Sequence, residues 1–284
     1  MFDSGFGGLT VARAVIDLLP DEHLVYVGDT GRYPYGPRPL DEVRRFAHQI
    51  TRHLVDDYDV KLVVVACNTA SAAALDELRV TCPVPVIGVI EPGARSLVAA
   101  TRTGRVGVIG TVGTMSSGAY QRAVTAADPT VELTGAACPG FVEFVEKGET
   151  ASDQVYVLAE RLLAPLREAK VDTLLLGCTH YPFLARTISD IMGRDVVLVS
   201  SADETAFEVR SLLLDSGLAR VPADADADAG TAADAAAAGP GGPASQPEHR
   251  WLSSGDVAWF RELGRRLLGP ELDHAMLVTW DEPP

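Results

Sequence analysis

Six short apolar runs, Leu24–Val27, Leu62–Val65, Val86–Val89, Val106–Ile109, Thr173–Leu176 and Val196–Val199, recur along the chain. Each is rich in β-branched residues or leucine and is apolar on both faces. A strand reads this way when helices cover both sides of a parallel sheet. Amphipathic stretches lie between the runs. Leu40–Tyr58 sets Val43, Phe46, Ala47, Ile50 and Leu54 on one helical face, and Asp153–Lys170 does so with Val155, Leu158, Leu162 and Leu166. Alternation of this kind predicts a doubly wound α/β fold.

The runs also carry a weak internal repeat. Residues 62–69 read LVVVACNT and residues 173–179 read TLLLGCT. Each is an apolar strand, a small residue (Ala66 or Gly177), a cysteine, and a threonine shortly after. At 284 residues the chain is long enough for two domains. The expected architecture is therefore two pseudo-symmetric lobes facing one cleft. The first comprises residues 1–91 with 200–284, and the second residues 92–199. Residues 222–249 hold nothing apolar larger than alanine. They are expected to be a disordered insertion in the first lobe, with transient helix at Ala232–Ala238 as the lesser alternative. Structure is expected to resume at Arg250, followed by helix Asp256–Leu268.

Composition narrows the function classes. Apolar residues make up 47% and charged residues 22%, as in ordinary globular proteins. No run approaches the roughly 18 apolar residues of a membrane helix. Met1-Phe2-Asp3-Ser4-Gly5 has no basic n-region or apolar h-region, so a cytoplasmic protein is expected, with no membrane partner. The net charge of −15 repels phosphate backbones and argues against nucleic-acid binding. An anion site on such a chain has to be built locally, from backbone N–H groups and helix N-termini.

The cysteines are Cys67, Cys82, Cys138 and Cys178. None forms a C-x-x-C pair or has a histidine at zinc-ligand spacing, so no metal is expected. Cys67 and Cys178 fall at the carboxyl ends of their strands, where ligands bind in open α/β sheets. Each precedes an expected helix, Ala70–Val80 or Pro182–Met192, whose N-terminus would favour thiolate. A lone cysteine of this kind is more often a small buried hydrophobe. Two at matching strand ends suit inversion of a carbon α to a carboxylate, with one thiolate removing a proton and one thiol returning another. Nucleophilic catalysis by Cys178 with His180 as base stays open; Cys67 has no histidine nearby in sequence.

Other segments carry weaker signals. Asp3-Ser4-Gly5-Phe6-Gly7-Gly8 leads into helix Leu9–Leu19 and suits backbone approach to an anion, or plain helix capping. It is neither a dinucleotide fingerprint nor a Walker loop. Tyr33-Pro34-Tyr35-Gly36-Pro37 is a rigid turn. Gly110-Thr111-Val112-Gly113-Thr114 is a second strand-to-helix turn with hydroxyls that can cap.

Taken together, DSGFGG at 3–8, PYG at 34–36, CNTAS at 67–71, GTVGT at 110–114, CP…FVEKGE at 138–149, GCTHYP at 177–182 and SSGD…F…LLG from Ser253 to Gly269 resemble the glutamate racemases of the aspartate/glutamate racemase family. The resemblance spans nearly the whole chain outside 222–249. It implies cofactor-independent racemisation of glutamate, supplying D-glutamate for peptidoglycan, by an enzyme working as a homodimer. It also implies Cys67 and Cys178 as the acid/base pair, with Asp3, His180 and Glu146 as auxiliary catalytic groups. Asp3, Ser4, Tyr35, Gly36, Asn68, Thr69, Thr111, Thr114, Thr179 and His180 would hold the substrate. One departure is that only Met1 and Phe2 precede the DSG motif, where the family has a longer apolar strand. Either the start is set late or the first strand is truncated.

Relatives on the same scaffold, such as aspartate or hydantoin racemases, are the nearest rivals. Thiol-dependent decarboxylases keep one cysteine of the pair, which disfavours them. A pure binding module of two lobes would have no use for paired strand-end thiols. An interaction protein acting on a topoisomerase is compatible with the acidic surface but has no motif of its own here.

Overall fold

The structure, a computed structural model, describes residues 1–220 and 247–280. Its elements in chain order are β1 (Phe2–Asp3), α1 (Leu9–Leu18), β2 (Leu24–Gly28), α2 (Leu40–Tyr58), β3 (Val63–Val65), α3 (Asn68–Thr81), β4 (Val86–Gly88) and α4 (Ile90–Ala100). There follow β5 (Arg105–Gly110), α5 (Val112–Ser116), α6 (Ala119–Ala127), β6 (Glu132–Ala137), α7 (Phe141–Glu146), α8 (Asp153–Glu168) and β7 (Thr173–Gly177). The chain continues through α9 (Ala185–Met192), β8 (Val197–Val199), α10 (Ala202–Asp215), β9 (His249–Ser253), α11 (Val257–Leu268) and β10 (Met276–Leu277).

Two all-parallel sheets form the frame. One runs β10-β9-β2-β1-β3-β4 and the other β6-β5-β7-β8. The internal repeat is visible in these orders. If the strands of each half are numbered from its start, both contain the order 2-1-3-4, and β9 and β10 extend only the first. In that order the winding direction reverses between strands 1 and 3, and the crevice this opens lies at their carboxyl ends. Asp3 ends β1, Cys67 follows β3, Thr111 follows β5 and Cys178 follows β7. The topology thus brings the four strand ends that carry the motifs to the two switch points.

Burial explains why the strands read as they do. Val63–Val65 and Thr173–Gly177 are buried at every position, because helices cover both faces of each sheet. In α2, Val43, Phe46, Ala47, Ile50 and Leu54 are buried as the periodicity predicts. Helix α11 begins where Asp256 accepts from the backbone N–H groups of Ala258 and Trp259. The largest core cluster crosses between the lobes, joining Phe6 and Leu9 to Phe141, Tyr181 and Ile188.

Several expectations need correction. The expected disordered stretch 222–249 lies outside the described residues from 222 to 246, and so does Ala232–Ala238. Its last residue, His249, is instead the first residue of β9, paired with Leu24, one position before the expected restart at Arg250. The helix expected over 182–192 divides into a tight 3-10 turn at Tyr181–Leu184 and α9, with Pro182 in the first turn. Helix α8 stops at Glu168, and Lys170 turns left-handed at φ 53°. Strand β1 is two residues long, yet it holds the centre of its sheet. Among the described residues no helix is long and apolar enough to cross a membrane.

Candidate active site

Cys67 sits at the N-cap of α3, where its sulfur accepts from the backbone N–H of Ala70 at 3.5 Å. Asn68 and Thr69, expected before the helix, form its first turn. Cys67 is 4% exposed. Burial pushes its pKa well above the usual thiol value, and the Asp3 carboxylate pushes it further. The Ala70 and Ser4 backbone N–H groups pull the other way and are outweighed. Desolvation and the nearby carboxylate thus oppose the helix N-terminus, which by itself would favour the thiolate.

Asp3 is fully buried at the end of β1. Its Oδ2 accepts from the Gly8 N–H at 2.9 Å, which closes the Gly-rich turn, and Oδ1 has no hydrogen-bond partner. Two glycines of the turn are steric necessities. A Cβ on Gly8 would lie 2.6 Å from the Asp3 Cβ, and one on Gly7 would lie 2.6 Å from both His180 Nδ1 and Thr179 Oγ1. The turn of the first lobe is thus packed directly against the Cys178 motif of the second.

Cys178, 8% exposed, follows β7 with its sulfur 4.0 Å from His180 Nδ1. The other ring nitrogen of His180 meets Glu146 Oε1 at 2.7 Å, and Thr179 Oγ1 is 3.4 Å from Nδ1. Burial alone would lower the pKa of His180. Hydrogen bonds to Cys178 and Glu146, together with their charge, outweigh burial and raise it to about 10. His180 is accordingly a buried imidazolium between a carboxylate and a sulfur, the kind of neighbour that stabilises a thiolate. Phe6 packs edge-on against its ring, and Tyr33 lies on another side.

The two motifs meet across the cleft. The charge of Cys178 is felt at Cys67, where it contributes to the upward shift. Thr69 Oγ1 lies 3.0 Å from Thr111 Oγ1 and 3.2 Å from Thr114 Oγ1, while Thr111 caps α5 by accepting from the Thr114 N–H. The Gly36 carbonyl accepts from the Gly113 N–H at 2.9 Å, and a Cβ on Gly36 would strike Thr111 at 2.8 Å. Ser4 is buried beside Asp3. Apart from Glu146, which ends α7, the expected site residues lie at these strand ends or on the turns packed over them.

Tyr35 shows a partner that local sequence reading missed. Its hydroxyl donates to Asp29 Oδ2, so the phenol is already committed. Asp29, fully buried, also accepts from Arg32 Nε at 2.7 Å, Ser254 Oγ at 2.5 Å and Trp280 Nε1 at 3.0 Å. It ties the PYG turn to the end of the chain. A cavity of about 590 Å³ lies elsewhere, beneath Met1 between α1 and β2, and neither thiol lines it.

Known proteins with this arrangement form one group. The Asp/Glu/Hydantoin racemase family model matches residues 9–208. A glutamate racemase of Parafrankia sp. is 52% identical over 272 residues, covering 96% of this chain and 91% of its own. The crystal structure of a Bacillus anthracis glutamate racemase superposes with a TM-score of 0.85 at 38% identity, covering 99% of this chain and 96% of that one. That of the Francisella tularensis glutamate racemase in complex with D-glutamate gives 0.84 at 32% identity, with 99% and 96% covered. Half of the sequence is shared with such relatives over almost its full length, and the chain belongs to the Asp/Glu/hydantoin racemase family, among its glutamate racemases.

Proposed function

We propose that this chain interconverts L- and D-glutamate by a two-base reaction that needs no cofactor. The observation that carries the reading is the pair of buried thiols at equivalent strand ends, one beside a carboxylate and the other beside an imidazolium. Cys178, as thiolate, removes the Cα proton from one face. The negative charge is delocalised into the α-carboxylate, and Cys67, held as a thiol, delivers its proton to the opposite face. The product has inverted configuration, and the two sulfurs have exchanged protonation states. The opposite enantiomer runs the same path backwards.

Asp3 and the His180–Glu146 pair then tune the nearer thiol. Ser4, Tyr35, Gly36, Asn68, Thr69, Thr111, Thr114 and Thr179 hold the substrate, with the N-termini of α3 and α5 offering N–H groups to its carboxylates. The lobes that close on it divide at 91/92 and 199/200, a reading supported by the assignment of β1–β4 and β5–β8 to separate sheets. In the cell the reading is of a cytoplasmic homodimer that supplies D-glutamate for peptidoglycan.

The test is incubation of purified protein with L-glutamate in deuterium oxide, without pyridoxal phosphate or metal. Deuterium should appear at Cα as the optical signal decays toward a racemic mixture. Faster exchange of L-aspartate than of L-glutamate would overturn the substrate assignment.

A further inference from the structure

We propose that Tyr120 is a positioning residue for glutamate, holding the Asn68 amide so that its oxygen receives the substrate α-ammonium. The proposal rests on the glutamate racemase reading above. Asn68 directly follows Cys67 and is 3% exposed. Its Nδ2 donates to the Tyr120 hydroxyl at 2.7 Å, while Oδ1 is buried without a hydrogen-bond partner. Tyr120 belongs to the other lobe, on α6, and is 1% exposed. Its ring lies against Gly177, where a Cβ would come within 2.9 Å of Cε2, and Gly177 directly precedes Cys178. One phenol therefore spans from the strand end of the second thiol to the amide beside the first.

A buried amide oxygen without a donor is costly, so such a group beside a candidate catalytic thiol calls for a donor from the ligand. Glutamate offers only one. Its two carboxylates accept hydrogen bonds, and its α-ammonium alone donates. The other buried acceptor without a partner at these strand ends is Asp3 Oδ1. Asn68 and Asp3 thus supply free acceptors for two of the three N–H groups of an ammonium. With the amide reversed, an NH2 group would face the ammonium, donor against donor. The Tyr120 hydroxyl, by accepting from Nδ2, holds the amide in the position that leaves Oδ1 free for the ammonium. Burial raises the phenol pKa, as does the charge of Cys178, while the Asn68 bond lowers it, so Tyr120 stays neutral and serves as a hydrogen-bond partner.

The experiment compares L-glutamate with glutarate, which keeps both carboxylates and lacks the α-ammonium. In Tyr120→Phe, KM for L-glutamate, measured by Cα deuterium exchange, should rise about fivefold, the loss of one orienting hydrogen bond. The inhibition constant of glutarate should stay within about twofold of wild type, and kcat should change less than KM. In an Asn68→Ala background, where there is no amide to orient, the Tyr120→Phe effect should vanish. A parallel loss of glutarate binding would show general disruption and overturn the proposal, as would an unchanged KM or independent effects in the double variant. Failure of the racemase reading appears in the wild type, which would not exchange glutamate; failure of the Tyr120 role appears only in the variants.

Discussion

The sulfur of Cys178 lies 4.0 Å from the imidazole Nδ1 of His180, whereas the charged neighbour of Cys67 is the Asp3 carboxylate. The two thiols hold equivalent positions at the ends of β7 and β3, yet their electrostatic surroundings are opposite. An imidazolium favours the thiolate and a carboxylate disfavours it. On the proposed mechanism Cys67 starts as the acid and Cys178 as the base. That arrangement takes the enantiomer whose Cα–H faces Cys178.

Each cysteine should be indispensable to racemisation. Cys67→Ser and Cys178→Ser should each abolish it, since a hydroxyl ionises far less readily than a thiol near neutral pH. Each variant should still eliminate chloride from one enantiomer of β-chloroglutamate, the surviving thiolate taking the Cα proton as chloride leaves Cβ. The two variants should choose opposite enantiomers. Racemase activity above about a tenth of wild type in either, a barrier change under about 1.4 kcal/mol, would exclude that cysteine as an obligatory acid/base.

The pH dependence should follow His180. Its pKa is raised from 6.5 to about 10 in the folded protein. The stabilisation from its charged form is thus complete below 6.5 and is lost as the pH rises through about 10. Exchange of L-glutamate should fall on the same alkaline limb. Glu146→Gln removes a carboxylate that helps hold the imidazolium, so the limb should move to lower pH. A pH–rate profile that is unchanged by Glu146→Gln would contradict this coupling.

Gly7→Ala should damage catalysis more than folding. The added methyl would meet His180 Nδ1 and Thr179 Oγ1, each 2.6 Å away. Overpacking of this sort costs about 1–3 kcal/mol. A displacement of His180 approaching an ångström should lower exchange about a hundredfold. Thermal melting and exchange measured on the same sample check both, and exchange within about threefold of wild type would show that these side chains yield without consequence.

Asp29→Asn should destabilise the protein by about 3 kcal/mol, because it strands Arg32 in a largely buried place without its counter-charge. The Arg32 side chain is only 12% exposed. The same change releases the Tyr35 hydroxyl, so KM should rise as well. Chemical denaturation gives the stability, and a loss below about 1 kcal/mol would mean that the remaining donors and acceptors re-pair.

Sequence reading went furthest where local pattern and tertiary burial agree. The run Leu62–Val65 and the face of α2 were legible because helices on both sides of a sheet demand those residues. Strand β6 was not, since Glu132–Ala137 is a partly exposed edge strand with Leu133 as its sole large apolar residue. The upward shift of the Cys67 pKa is not legible locally, because it comes first from burial and then from the Asp3 carboxylate, whereas the helix N-terminus is a local signal. Asp29 was missed for a similar reason. Its partners Ser254 and Trp280 are 225 and 251 residues away, and nothing in Gly28-Asp29 announces them.

Strands β9 and β10 join the first sheet beside β2, although every strand of the second sheet lies between them and β4 in sequence. This has a consequence for biosynthesis. A nascent chain emerging from the ribosome can pair β5–β8 while one edge of the first sheet is still unsatisfied. Until His249–Ser253 emerges, β2 presents open backbone N–H and C=O groups, a template for pairing with another chain. The lobe begun first is thus the lobe completed last, and the half-built sheet is where premature termination of translation should produce aggregation.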